Sequence, residues 1–250
     1  MSVFPAQFIF LATVGLICSV PAHATSIVLA RTGDEVAMAA DSLQGVREGQ
    51  ALIHRSVCKI YRVGDVFFAV AGFAEVPNSA YDAVSISADA FRRHDGAEPG
   101  LVAAGEAVRS ALLSILPVIK LEQPEFVDTE VTNKPAVVTI AAIVVENATP
   151  KALSAAIDFN SSKDGKVNYF VYKTGRELKP MAIGHHEAID RWWNTQQKLP
   201  DMPPAYFARM SVQMEIASGD PEVGPPIEVV RLRPGVAPIL PDTVGCPIAL

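Results

Sequence analysis

Apolar residues fall along the chain in two rhythms. Residues 26–31 (Ser-Ile-Val-Leu-Ala-Arg) and 36–40 (Val-Ala-Met-Ala-Ala) are short β-rich runs on either side of the turn Thr32-Gly33-Asp34-Glu35, and they predict a hairpin. A second hairpin is predicted from 58–63 and 66–71, joined by Gly64-Asp65. The rhythm then changes. Ala83, Val84, Ile86, Ala88 and Phe91 fit one helical face within 81–93, and Val102, Val108, Leu112, Leu113, Leu116 and Ile119 fit another within 101–120, with Pro117 predicting a kink or early stop. The stretches 42–56 and 121–135 read as polar connection and long loop. Strands return at 136–146, 152–159 and 167–174, helices at 187–198 and 206–218, and a last strand pair at 227–232 and 236–240.

The predicted order is strands, two helices, strands, two helices, strands. Two antiparallel sheets facing each other, each covered by a helix pair, would bury these apolar strands, so the expected fold class is α+β, a four-layer αββα sandwich. No internal repeat or domain linker interrupts 25–250.

Composition narrows the function classes. With 16 glycines and 19 prolines in 250 residues, 50% hydrophobic and 19% charged, the chain is neither collagenous nor disordered. The 21 Lys and Arg against 27 Asp and Glu give a net charge of −6, which offers no footprint for nucleic acid or anionic lipid.

The first 24 residues contain no Lys, Arg, Asp or Glu, and 8–20 is an apolar run of 13 residues. That is short for a membrane span of about 20 residues and right for the apolar core of a secretory signal. Pro21 comes next, then Ala22-His23-Ala24 as a small-x-small cleavage site. The positive end is supplied by the initiator amine alone, which leaves an uncleaved anchor as the other reading; Ile17 before Cys18 is bulky for a lipoprotein signal. The expectation is a signal peptide over 1–24, a periplasmic or secreted protein, and no membrane attachment after cleavage. Cys58 and Cys246 then remain, either paired in the oxidising compartment or as two buried thiols.

Cleavage after Ala24 makes Thr25 the first residue, so one residue carries both a hydroxyl and a free α-amine, a base beside its nucleophile. Any residue can come after a cleavage site, and Thr25 alone decides nothing. The next segments are more specific: Thr25-Ser26-Ile27-Val28 enters the first strand, Ala39-Ala40-Asp41-Ser42 ends the second, and then come Cys58-Lys59-Ile60 and, after the second hairpin, Ala71-Gly72-Phe73-Ala74. In these segments the chain resembles the proteasome β-subunits and the simpler bacterial peptidase rings related to them, which are N-terminal-nucleophile (Ntn) hydrolases.

The resemblance implies a threonine-type amide hydrolase of αββα fold without cofactor. Thr25 would be the nucleophile, Lys59 the neighbouring ammonium, Asp41 its partner, the Gly72 N–H an oxyanion donor, and Val70 the floor of a substrate pocket favouring apolar side chains. The family's assembly habit implies a homo-oligomeric ring. Substrates would be peptides, unfolded proteins or small amides; an acylase on the same scaffold and a non-catalytic interaction module are the alternatives. The second half departs from the pattern. Gly184 and Asp220 fit supporting positions, but His185 and Val223 stand where the family has Ser. Two readings of His185 stand: a hydrogen-bond partner replacing Ser, whose titration would make activity fall in acid, or, with His186, a solvent-facing helix start. Adjacent side chains diverge, so no metal is expected on the His185–His186 pair. Asn147-Ala148-Thr149 and Asn160-Ser161-Ser162 match glycosylation acceptors, and of Trp192 and Trp193, near Tyr206, at least one is expected in the core.

Overall fold

A computed structural model describes residues 25–48, 51–76, 79–122, 124, 136–159, 167–173, 180–196 and 201–240. The leader, Cys18, Cys246, the acceptor at Asn160 and most of the loop expected over 121–135 lie outside them.

Two five-stranded antiparallel sheets carry the architecture. The first contains β1 (Ser26–Arg31), β2 (Val36–Asp41), β10 (Met181–Gly184), β11 (Ile227–Arg233) and β12 (Val236–Ile239), in the order β10-β1-β2-β11-β12. The second contains β5 (Ile60–Val63), β6 (Val66–Gly72), β7 (Val138–Glu146), β8 (Thr149–Phe159) and β9 (Val167–Lys173), in sequence order. A separate hairpin, β3 (Leu43–Glu48) with β4 (Ala51–Ser56), occupies the stretch expected to be a polar connection. Among the described residues, four helices complete the fold: α1 (Ala83–Arg93), α2 (Ala97–Glu122), α3 (Glu187–Thr195) and α4 (Pro204–Ala217).

The unbroken apolar runs have a direct cause. β1 and β2 are covered on both faces, so consecutive residues enter different cores. Ile27, Leu29, Val36, Met38 and Ala40 join Phe67, Ala69, Ala71, Ala141 and Ile143 of the other sheet in one buried cluster. Val28, Ala30 and Ala39 join Ile189, Phe207, Ala208 and Val212 of α3 and α4 in a second. The other faces of β6, β7 and β8, through Phe68, Val70, Ile140, Ala142, Leu153 and Ile157, pack on Phe91 of α1 and on Leu101, Ala104, Val108, Leu112 and Leu116 of α2. Trp192 and Trp193 both lie against Phe207, with ring centroids 6.0 and 5.7 Å apart, while Tyr206 is exposed.

α2 begins at Ala97 and runs through Pro117, which is exposed, without stopping. By length and apolarity it could cross a membrane; here its 101-104-108-112-116-119 stripe is buried on the second sheet. Gly100 permits a close approach, because a Cβ there would lie 2.7 Å from the Phe91 ring. Asp82 caps α1 by accepting from the N–H groups of Val84 and Ser85. Glu215 of α4, 2% exposed, does the same for α3 across the helix pair, accepting from Ala188 and Ile189 at 2.9 and 3.1 Å.

Candidate active site

At one end of the facing sheets several strand ends converge. β1 starts there and β2 ends there, because they are antiparallel; β10 ends opposite Ser26, and β11 begins opposite Asp41. From the second sheet, β5 begins and β6 ends at the same place.

Asp41 closes β2 and is fully buried. Its carboxylate accepts from Ser26 N at 2.8 Å, from Leu43 N at 3.1 Å, from Gly224 N at 3.3 Å, and from Lys59 Nζ at 2.9 Å on each oxygen. One carboxylate thus ties the residue after Thr25, the loop before β11, and the ammonium before β5. Five donor contacts satisfy a buried anion that would otherwise be very costly. Burial pulls the Lys59 pKa below the usual lysine range, opposed by the charge and hydrogen bonds of Asp41 and, more weakly, by Glu228.

Thr25 is 2% exposed in the full-length chain. Its carbonyl accepts from His185 N at 2.9 Å, extending the β1–β10 ladder by one rung. Gly184 makes that approach possible. Its φ is +79°, and a Cβ would sit 1.8 Å from the Thr25 carbonyl oxygen and 3.2 Å from the Ala71 methyl. Gly72 is constrained likewise, with φ +91° and the carbonyl oxygen of Val137 2.2 Å from any added Cβ. Val70 faces the helix side of the second sheet and is 6% exposed.

His185 lies just outside α3 and is partly exposed. Its Nδ1 meets Asp220 Oδ2 at 2.6 Å and its Nε2 lies 3.6 Å from Glu222 Oε2. His186 turns elsewhere, to Asp190 of its own helix at 2.9 Å. Burial would raise the Asp220 pKa, but the Glu222 N–H and the His185 ring outweigh it and hold the carboxyl below its usual range. His185 thus combines a place just before α3 with a side-chain hydrogen bond to Asp220. Among the described residues, His185, Asp220 and Glu222 offer ligand atoms within 4.8 Å of one another, a spacing a divalent cation can use, although Nδ1 is already engaged by Asp220.

The structure therefore gathers Asp41, Lys59 and Gly184 around the Thr25–Ser26 segment, sets Gly72 at the adjoining strand end, and places His185 with Asp220 behind Thr25. Val223 is buried and has no hydroxyl to offer; the backbone N–H of the next residue, Gly224, reaches Asp41 instead. Cys58, one residue before Lys59, is disulfide-bonded. This departs from the reading of two buried thiols at Cys58; Cys246, the other cysteine of 25–250, lies outside the described residues. Sequence reasoning missed Glu228, a 1%-exposed carboxylate on β11 that accepts from Lys59 N at 3.1 Å and Ile60 N at 2.9 Å. The available signal was a charged residue at an inward position of an alternating strand, where Val230 and Leu232 continue the same face into the core.

No family model matches the chain, and no curated protein matches it in sequence. Among solved structures it is similar to the Gly-1 mutant of Anbu from Hyphomicrobium sp. strain MC1, at 15% identity over 88% of this chain and 89% of that one, with a TM-score of 0.54. It is similar to Anbu from Pseudomonas aeruginosa in its helical assembly, at 11% identity over 88% of each chain and a TM-score of 0.52. Eukaryotic HslV from Trypanosoma brucei shares 18% identity over 83% of this chain and 99% of that one, with a TM-score of 0.45. The fold is that of the proteasome-like Ntn hydrolases.

Proposed function

We propose that this chain is a threonine-type Ntn hydrolase that cleaves amide bonds with Thr25 once residues 1–24 are removed. The observation that carries the reading is Asp41, which holds the Lys59 ammonium and the Ser26 N–H with the same carboxylate and so binds a buried cation to the residue next to the nucleophile. The three buried clusters between sheets and helices support a four-layer αββα arrangement. The leader pattern and the disulfide at Cys58 support a periplasmic or secreted location.

In this mechanism the Thr25 hydroxyl attacks the substrate carbonyl carbon while its proton passes to the residue's own α-amine, directly or through water. The Lys59 ammonium favours the neutral, proton-accepting amine. The carbonyl oxygen becomes an oxyanion, to which Gly72 N–H donates. Collapse breaks the C–N bond, the leaving nitrogen takes the proton, and water hydrolyses the remaining ester to free Thr25. No step calls for a cofactor. Substrates are peptides, unfolded proteins or small amides. We also propose a homo-oligomer, by analogy with the helical assembly of the Pseudomonas aeruginosa protein.

A second reading, a non-catalytic interaction module, is favoured by His185 and Val223 where hydroxyls are expected. An epoxyketone, which reacts with the hydroxyl and amine of one residue, separates the two. Labelling of processed wild type at Thr25, absent in Thr25→Ala, supports the hydrolase; unlabelled processed wild type supports the module. Activity confined to a panel of small acyl amides, with peptides uncut, would identify an acylase.

A further inference from the structure

We infer that Glu228 is a positioning residue for Lys59, fixing the backbone from which that side chain departs and supplying it with a second negative charge. The inference rests on the proposed hydrolase activity.

Position along β11 makes Glu228 unusual. Glu228, Val230 and Leu232 share the face turned to the other sheet, where the last two join the apolar cluster between the sheets. The pattern asks for an apolar side chain, and a carboxylate stands there, 1% exposed. Its Oε2 receives the N–H groups of Lys59, the residue before β5, and Ile60, the first residue of β5, so the side chain joins β11 of one sheet to the start of β5 in the other at the level of the site.

Two backbone donors need an acceptor but not a charge. The amide oxygen of a glutamine, almost the same shape, would receive both at lower desolvation cost. Burial pushes the Glu228 pKa above the usual carboxylate range, outweighing the two N–H bonds, a hydrogen bond with the Ser42 side chain and the attraction of Lys59. A folded-state pKa above the unfolded one means that the ionised side chain costs stability at neutral pH, and that this cost vanishes as pH falls below the unfolded value. Any charge on Glu228 is therefore held at the expense of the fold.

Its effect falls on two neighbours. Tyr61, the residue after Ile60, is pushed up to about 12 by burial and then by Glu228. Lys59 faces Asp41 from β2 and Glu228 from β11, and both raise a pKa that burial lowers. Ionised Glu228 thus keeps the Lys59 ammonium charged to higher pH, in the state that suppresses protonation of the Thr25 amine. Asp41 positions the end of this side chain and Glu228 its root.

The test is Glu228→Gln in the processed protein, residues 25–250, measured as epoxyketone labelling rate at Thr25 against pH, beside thermal melting. Gln should fold with a melting temperature at or above wild type. The labelling optimum should fall about tenfold, and the alkaline limb should move down by about 0.5–1 pH unit. Glu228→Asp should bring part of the alkaline limb back. A Gln variant with wild-type rate and limb overturns the inference alone, as does a slower variant whose limb has not moved, since that marks a structural role. A Gln variant that does not fold overturns it too, because a neutral acceptor then fails to hold the two N–H groups. Processed wild type that takes no label overturns the hydrolase reading and this inference with it.

Discussion

Removing either partner of the Asp41–Lys59 pair should abolish labelling, but the two losses should differ in stability. In Asp41→Asn the Lys59 ammonium keeps its buried position and loses the carboxylate that bonds it at 2.9 Å on both oxygens. Leaving one member of a buried pair without its counter-charge costs about 3–5 kcal/mol. The new amide also offers one acceptor oxygen to a set of donors that includes Ser26, Leu43 and Gly224. In Lys59→Met the Asp41 carboxylate retains those three backbone N–H bonds, and the unbranched side chain fills the channel the lysine stem occupied. Loss of the charge-assisted bonds should then cost about 1–3 kcal/mol. At about 2–4 °C per kcal/mol for a domain of this size, Asp41→Asn should melt several degrees below Lys59→Met. Both should lower the epoxyketone labelling rate by about 10³-fold or more. Denaturant melts of wild type, both single variants and the double variant measure the difference and the coupling energy. Equal destabilisation would refute the view that the backbone donors suffice to hold Asp41, and a wild-type labelling rate in either variant would refute the role of the pair.

Gly72→Ala puts a methyl 2.2 Å from the Val137 carbonyl oxygen at positive φ; it should lose about 2–4 kcal/mol and nearly all labelling, read by melting and by mass spectrometry. Because burial lowers the Lys59 pKa, the ammonium is lost, and the rate should fall, at a pH below the ordinary lysine value of about 10.4; a rate still rising at pH 10 would contradict this. Reducing the disulfide at Cys58 should cost about 2–4 kcal/mol and slow labelling, since Lys59 is the next residue; melts and rates with and without a phosphine reductant check both.

Much of the site was legible because the informative residues are close in sequence. Ala39-Ala40-Asp41-Ser42 ends a strand whose apolar run predicts it, and Lys59 sits just before a hairpin marked by Gly64-Asp65, so strand ends and site residues came together. Other parts were hidden for physical reasons. β10 has four residues, too few for a period to register, yet it carries the glycine that lets Thr25 approach. β3 and β4 lie in a polar stretch, and 53–56 are exposed, so no buried stripe advertises them. Pro117 did not break α2, whose buried stripe continues past it to Ile119. The partners of Glu228 are 168 and 169 residues away, and His185 meets Asp220 35 residues on, so neither contact leaves a local pattern. Glu35, 1% exposed, is found the same way only in three dimensions, bridged to Arg231 and Arg233.

The most direct test is the identity of the first residue of the processed protein, read by terminal sequencing and intact mass. A chain beginning at Thr25 with an unmodified amine is the predicted result. A chain beginning anywhere else would place the base away from the hydroxyl and contradict the mechanism.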